Sequence, residues 1–337
     1  MTAMSDKSER PTIKAAQIGV GRWGRNIART IRDEIPGIRL IRAVTSREDI
    51  GDLIGDECTR VADWRDLLND DEVEAVFLAV PPSRHREMTS AFVESGIAVF
   101  VEKPLCLSSQ DGRLLLETVG RYDGIVHVDH IDLHNPAVAA IKERSSTSGP
   151  LRRIVGHIGA AYERRPDISP LWEYSPHFIA VCLTAGGGDL QRVSAKRLPS
   201  EPPFSDDENR DLVQLDMAFS DGMTATVVAG NGMARKCRSL RFEFDEKSFI
   251  FDDQAESRLM EQDRSEDKAH AVPISEVRPL TASIQAFETK IRRGQPTPDD
   301  VRTGIKVIEI LEAASRAIGE PLPLEPPPSR TITNSEH

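Results

Sequence analysis

KAAQIGVGRWGRNIARTIR, Lys14 to Arg32, is the stretch whose reading decides the fold. Ala15–Val20 is apolar enough for a short buried strand, and Ile27, Ala28 and Ile31 then recur at helical spacing. Gly19, Gly21 and Gly24 fill a G-x-G-x-x-G pattern on the turn between them. Gly19 permits the tight turn, Gly21 lets the backbone approach a pyrophosphate, and Gly24 lets helix and strand pack closely. The helix start presents unbonded N–H groups to the phosphates. A glycine turn that binds nothing is the plain alternative, but the strand–turn–helix setting favours a dinucleotide, with Arg22 and Trp23 as further contacts.

Working outward, 337 residues suggest two domains, and 39% hydrophobic with 29% charged residues is ordinary for a globular chain. A formal net charge of −11 argues against a nucleic-acid partner. Cys58, Cys106, Cys182 and Cys237 show no C-x-x-C spacing, so neither a zinc site nor a disulfide framework is expected. The polar N-terminus lacks the apolar core of a secretory signal, and no run is long enough for a transmembrane helix. The expectation is a cytoplasmic protein with no membrane partner.

Residues 1–12 read as a disordered leader. A second strand, Ile38–Val44, ends in Thr45-Ser46-Arg47. Ser46 stands where an acid would bond a ribose 2′-hydroxyl and Arg47 can face a 2′-phosphate, which tilts the choice from NAD towards NADP. A short helix is expected over Asp63–Leu68. The apolar run Ala75–Val80 ends in Pro81-Pro82-Ser83 and leads to a helix, Arg84–Glu94; Ala98–Val101 ends in Glu102-Lys103-Pro104. A helix capped by Ser108 or Ser109 and a strand over Gly124–Val128 follow. Such repeats predict an α/β fold, a doubly wound parallel Rossmann sheet over 13–133 with its ligand at the carboxyl ends of the strands. Gly21, Ser46, Pro81 and Lys103 should line one crevice.

Over 134–320 the pattern changes to α+β with a mostly antiparallel open sheet. Strands are expected at Leu151–Ala161, Leu190–Ala195, Leu212–Phe219, Thr224–Val228, Ser239–Phe244 and Ser248–Phe251, with Asp221-Gly222 turning a hairpin. Helices are expected at Ala137–Arg144, Pro176–Thr184, Thr281–Arg292 and Pro298–Ile318, the last placed to pack back on the first domain. Residues 321–337, rich in Pro and Ser, read as a disordered tail.

Lys103 is the leading catalytic candidate. Pro104 holds its predecessor extended, and a lysine beside a cationic nicotinamide should lose proton affinity and serve as general acid/base. The alternative is a surface lysine paired with Glu102. Glu173 and His177, four apart, can meet on a helical turn, so that the carboxylate orients an imidazole at the substrate hydroxyl; a plain helix-capping region is the alternative. His127, His130 and His134 lack a zincin arrangement and are expected to line the crevice or cap a helix; no metal is expected. Arg164, Arg165 and Asp167 can contact an anionic substrate or form a solvated loop.

GVGRWGRN (Gly19–Asn26), AVPPSRH (Ala79–His85), VFVEKPL (Val99–Leu105), HVDHIDLHNPA (His127–Ala137) and LWEYSPH (Leu171–His177) together resemble the glucose–fructose oxidoreductase/inositol dehydrogenase/rhizopine catabolism (Gfo/Idh/MocA) family. The likeness runs from Ala15 to about Ile318 and is nearest to sugar-nucleotide members of surface-polysaccharide pathways. It implies that Lys103 of the E-K-P motif is the catalytic lysine and that His177 is the active-site histidine. Glu173 falls where the family usually carries Asp, and so does Phe178 in the polysaccharide-type members. Pro81, His85, Glu102 and Lys103 would lie by the cofactor, and His130, Arg165, Trp172 and His177 by the substrate. The resemblance also implies a homo-oligomer, dimer or tetramer, built on the open sheet. The expected function is hydride transfer between NAD(P) and a ring hydroxyl or ketone of a sugar or sugar nucleotide. The alternatives are a non-catalytic NADP(H)-binding sensor and a reductase of a non-sugar cyclic carbonyl or imine.

Overall fold

The computed structural model describes residues 11–47, 50–55, 58–162, 168–202, 210–265 and 268–323. The expected leader and tail fall mostly outside them, as do Arg164, Arg165 and Asp167.

Short apolar runs build the first sheet. β1 (Ile13–Ile18), β2 (Ile38–Val44), β3 (Thr59–Val61), β4 (Ala75–Leu78), β5 (Ala98–Glu102) and β6 (Val126–Asp129) pair in parallel in the order β3-β2-β1-β4-β5-β6. β4 is buried on both faces, as helices on either side of a parallel sheet require. The order reverses direction between β1 and β4, which opens the crevice that such folds use for ligands. The helices are α1 (Arg22–Glu34), α2 (Gly51–Ile54), α3 (His85–Glu94) and α4 (Ser109–Arg121), the last capped by Ser108. The helix expected over 63–68 is a tighter 3₁₀ turn, Trp64–Asn69, started by the Asp63 side chain accepting from the Arg65 N–H.

α5 (Pro136–Ser145) leads into an eight-stranded sheet. Its strands are β7 (Leu151–Gly159), β8 (Leu190–Leu198), β9 (Leu212–Phe219), β10 (Thr224–Gly230), β11 (Cys237–Phe244), β12 (Lys247–Asp252), β13 (Leu259–Asp263) and β14 (His270–Ala271). They run β14-β13-β12-β11-β7-β10-β9-β8, antiparallel except for the β7–β10 pair. β13 and β14 were not expected, because LMEQD and HA carry almost no apolar alternation.

α6 (Pro170–Ala185) lies under this sheet, and Phe178 packs on Gly156 of β7. α6 begins at Pro170, well before the expected Pro176. Ser169 caps it by accepting from the Trp172 N–H, Pro170 takes the first turn where no N–H is needed, and Pro176 lies inside the helix. The other face of the sheet is partly solvated, with Val155, Val228 and Ile250 half-buried there.

α7 (Pro279–Arg293) brings Phe287 edge-on to Phe77 and Phe100 of the first sheet. α8 (Pro298–Ala317) lies against α4 and the segment after β5: Gly304 sits against Leu105, and Ile305 against Gly112 of α4. Thr297, just before α8, accepts from the Val126 N–H and donates to the Val126 carbonyl, covering the edge strand β6.

Candidate active site

The glycine loop is built as its spacing requires. Gly19 has φ +84°, and a Cβ there would lie 2.4 Å from the Ala79 carbonyl oxygen; one on Gly24 would lie 2.2 Å from the Gly19 oxygen. Both are forced by packing. Gly21 is different, because nothing lies within 4 Å of its would-be Cβ. It caps α1 without a side-chain bond, and the first turn carries no acid. A helix start with free N–H groups and open space in front of it fits a pyrophosphate. Arg22 lies 5.6 Å over the Tyr162 ring, tying the loop to the far side of the crevice, and Trp23 is exposed. Ser46 and Arg47 are exposed past the end of β2, where the Arg47 N–H donates to Thr45 Oγ1 at 3.1 Å.

Pro81 is exposed at the end of β4. His85 corrects an expectation. It is fully buried, with Nδ1 2.8 Å from the Pro104 carbonyl and Nε2 3.0 Å from that of Val80. Burial lowers its proton affinity. It braces the two strand ends from behind, out of a cofactor's reach.

Lys103 extends from the end of β5, and its peptide bond to Pro104 is cis. Its Nζ donates to the Glu173 carbonyl at 2.6 Å. That carbonyl lies in the first turn of α6, one residue past the Trp172 carbonyl, which loses its helical donor at Pro176. Glu173 thus gives the lysine a backbone oxygen.

The carboxylate on His177 Nδ1 is that of Asp132, at 3.0 Å. Asp132 follows β6 in a 3₁₀ turn, Ile131–His134, and also takes Arg238 of β11, whose Nε donates at 3.1 Å and whose Nη2 bonds the other oxygen. Burial would push the Asp132 carboxyl up, but Arg238 and His177 outweigh it and hold it well below the usual carboxylate range. An ionised Asp132 only accepts, so Nδ1 carries the proton and Nε2 is left as an acceptor. Burial, with Lys103 nearby, pushes His177 down to about 3, so the ring is neutral at physiological pH. Asp132 and Arg238 are the residues that sequence reasoning missed. Asp132 lies in a quoted motif, but Arg238 comes from a distant strand with no local signal.

His130 is 2% exposed with neither ring nitrogen bonded among the described residues; burial and the Lys103 charge lower it to about 4. Trp172 is a second correction: it is fully buried, its Nε1–H donates to Ser315 of α8 at 2.9 Å, and it belongs to the core, not to a substrate surface. Phe178 is also core, so the departure there does not reach the crevice. Glu102 turns inward and accepts from the Trp23 indole. Among the described residues, no helix is long and apolar enough to cross a membrane.

Residues 13–130 match the model of an oxidoreductase family with an NAD-binding Rossmann fold. A chain of Magnetospirillum magnetotacticum MS-1 assigned as an oxidoreductase is 32% identical, with 90% of this chain and 100% of that one covered and a TM-score of 0.82. Scyllo-inositol 2-dehydrogenase (NAD(+)) of Bacillus subtilis (strain 168) is 29% identical over 142 residues, 39% of this chain and 40% of that protein. Biliverdin reductase A of Homo sapiens is 27% identical over 128 residues, 37% of this chain and 42% of that protein. The match therefore spans about two fifths of either curated relative. With the glycine loop, the E-K-P strand end and the His177 helix all in place, the chain belongs to the Gfo/Idh/MocA family of NAD-binding oxidoreductases.

Proposed function

We propose that this protein is an NAD(P)-dependent oxidoreductase that moves a hydride between nicotinamide and a ring hydroxyl or ketone of a sugar or sugar nucleotide. One observation carries the reading: Lys103 and the α6 turn bearing His177 converge at the carboxyl end of β5. The glycine loop holds the dinucleotide, and the nicotinamide, when bound, supplies or accepts the hydride. Lys103 gives or takes the hydroxyl proton. His177, its Nδ1 fixed on Asp132, turns Nε2 towards the same hydroxyl and assists. Exposed Ser46 and Arg47 favour NADP over NAD. The half-buried residues on the open face of the second sheet support a homo-oligomer through that face.

The test is mass spectrometry of small molecules released on denaturing freshly purified protein, followed by assays against polyols, sugars and sugar nucleotides. Released NADP(H) and turnover of a ring hydroxyl support the reading. Cofactor binding with no turnover across the panel would favour a sensor. The likeness to a biliverdin reductase places non-sugar cyclic substrates next on the panel.

A further inference from the structure

Behind the crevice runs a line of polar side chains that this proton chemistry leaves unused. It starts where Glu102 and Asp129 stand side by side as register partners at the ends of β5 and β6. The two carboxyl groups are close enough to influence each other's protonation. Glu102 Oε1 and Asp129 Oδ2 have no donor among the other described side chains and backbone groups. Two buried ionised carboxylates side by side repel, and one proton shared between them would satisfy both orphaned oxygens. Burial and the neighbouring Asp129 push Glu102 well above its usual range, and burial raises Asp129 to about 6.

From Asp129 the line continues away from the crevice. Ser283 Oγ donates to Asp129 Oδ1 at 2.7 Å, and His127 Nε2 is 3.0 Å from Ser283 Oγ. Lys290 Nζ donates to His127 Nδ1 at 2.8 Å and also bonds Asp300. Lys290 and Asp300 are 26% and 27% exposed, whereas His127 is 1% exposed. Burial and the Lys290 charge keep His127 neutral. With Nδ1 accepting from Lys290, Nε2 must be the donor. Every hydrogen in the line therefore points inward. His130 and His134 face His127, and Asp132 and Lys103 face the carboxyl pair.

We propose that Lys290, His127, Ser283, Asp129 and Glu102 form a proton conduit from solvent at α7 to the strand end that carries Lys103. The proposal rests on the oxidoreductase reading. After Lys103 has protonated the alkoxide formed on a reduced ketone, the conduit refills it. Lys290 passes an Nζ proton to His127 Nδ1, and His127 Nε2–H passes to Ser283 Oγ. The original Ser283 proton passes to Asp129 Oδ1, and the proton shared by the carboxyl pair leaves towards Lys103. Water then reprotonates Lys290, and a turn of the His127 ring with rotation of the Ser283 and Asp129 O–H groups restores the starting arrangement, so one proton enters and one is consumed. Oxidation reverses each transfer and exports the substrate proton while substrate and dinucleotide close the crevice.

Ser283→Ala cuts the line at its one hydroxyl and Ser283→Thr restores it. The alanine variant is expected to lose about tenfold in kcat, with a larger solvent deuterium isotope effect and an unchanged cofactor KM; the threonine variant recovers most of the rate. A folded Ser283→Ala enzyme with wild-type kcat and isotope effect would overturn the conduit. A second measurement needs no substrate. Infrared spectra of the protein at neutral pH should contain a protonated carboxyl band that Glu102→Gln removes, and its deuterium exchange should slow in Ser283→Ala. Absence of that band overturns the conduit whatever the activity. The band and its slowed exchange, in a protein that turns nothing over, would support the conduit while sinking the oxidoreductase reading.

Discussion

The glycine loop and the foot of α6 face one crevice with opposite chemistry. The loop offers bare backbone: Gly21 leaves open space, and α1 begins with neither a side-chain cap nor a first-turn acid. Negative charge there has to arrive with a ligand. The α6 side carries its own charges, already matched. Asp132 takes Arg238 and His177 together, and Lys103 rests on a backbone carbonyl. On the proposed reading, the groups there that exchange protons are a ring nitrogen and an amine. Grip and proton transfer on that reading belong to separate parts, and substitutions should separate them.

The largest separation is expected from Lys103→Ala. Turnover should fall by about 10³-fold or more, the scale of a lost general acid/base, while cofactor affinity measured by fluorescence titration holds. Unchanged turnover would remove the proton-transfer half of the contrast. Next, Asp132→Asn should lower kcat by about a hundredfold through a misplaced His177 tautomer and cost about 3 kcal/mol of stability by stranding Arg238. Glu173→Gln, whose backbone oxygen is untouched, should cost less than about threefold. If the two kinetic effects were reversed, Glu173 would be the orienting carboxylate after all.

On the loop side, Gly24→Ala forces a Cβ into the Gly19 carbonyl and should destabilise the fold by about 2 kcal/mol, seen as a lower Tm. Gly21→Ala should leave Tm alone and weaken the cofactor roughly tenfold, since only the ligand occupies that space.

A further test is pH. His127, His130, His134 and His177 are all held below 6.5 in the fold, so the unfolded chain binds more protons as pH drops through that value. Each can remove up to about 1.4 kcal/mol of stability per pH unit below 6.5. Glu102 and Asp129 are raised and act the other way, their stabilisation fading as pH rises through their folded values, about 6 for Asp129. Counting His85, lowered by burial as well, and Asp300, raised by burial, five histidines stand against three carboxyls and predict a Tm that climbs from pH 5 to pH 7; a flat or falling profile would mean that the histidines are charged in the fold. Smallest of all, Arg47→Ala should weaken NADP by a few-fold more than NAD, a difference of under about 1.4 kcal/mol for an exposed cation.

Legibility in the sequence follows the same division. The loop, the strand ends at Pro81 and Lys103, and the Ser108 cap are set by residues within a few positions of one another, so spacing alone locates them. The α6 cluster depends on three segments, and nothing near Glu173 says that its partner is replaced by an aspartate after β6. Pro176 invited a helix start at the wrong proline, because Ser169-Pro170 is an equally good start whose strength shows only once Trp172 is seen buried against Ser315. The family resemblance puts His85 by the cofactor, and only the burial that sends its ring between two carbonyls speaks against this.

The seating of α8 against α4 and the segment after β5 bears on how the chain is made. A ribosome delivers β1 to β6 early, yet the side chains that seat on Leu105 and Gly112, and the Thr297 hydroxyl that seals the Val126 edge, arrive last. Until they do, the nucleotide-binding half carries an open apolar groove and an unpaired strand edge. We expect nascent chains stalled before Thr297 to be protease-sensitive and chaperone-bound, and those extended past Ala317 to become resistant in one step.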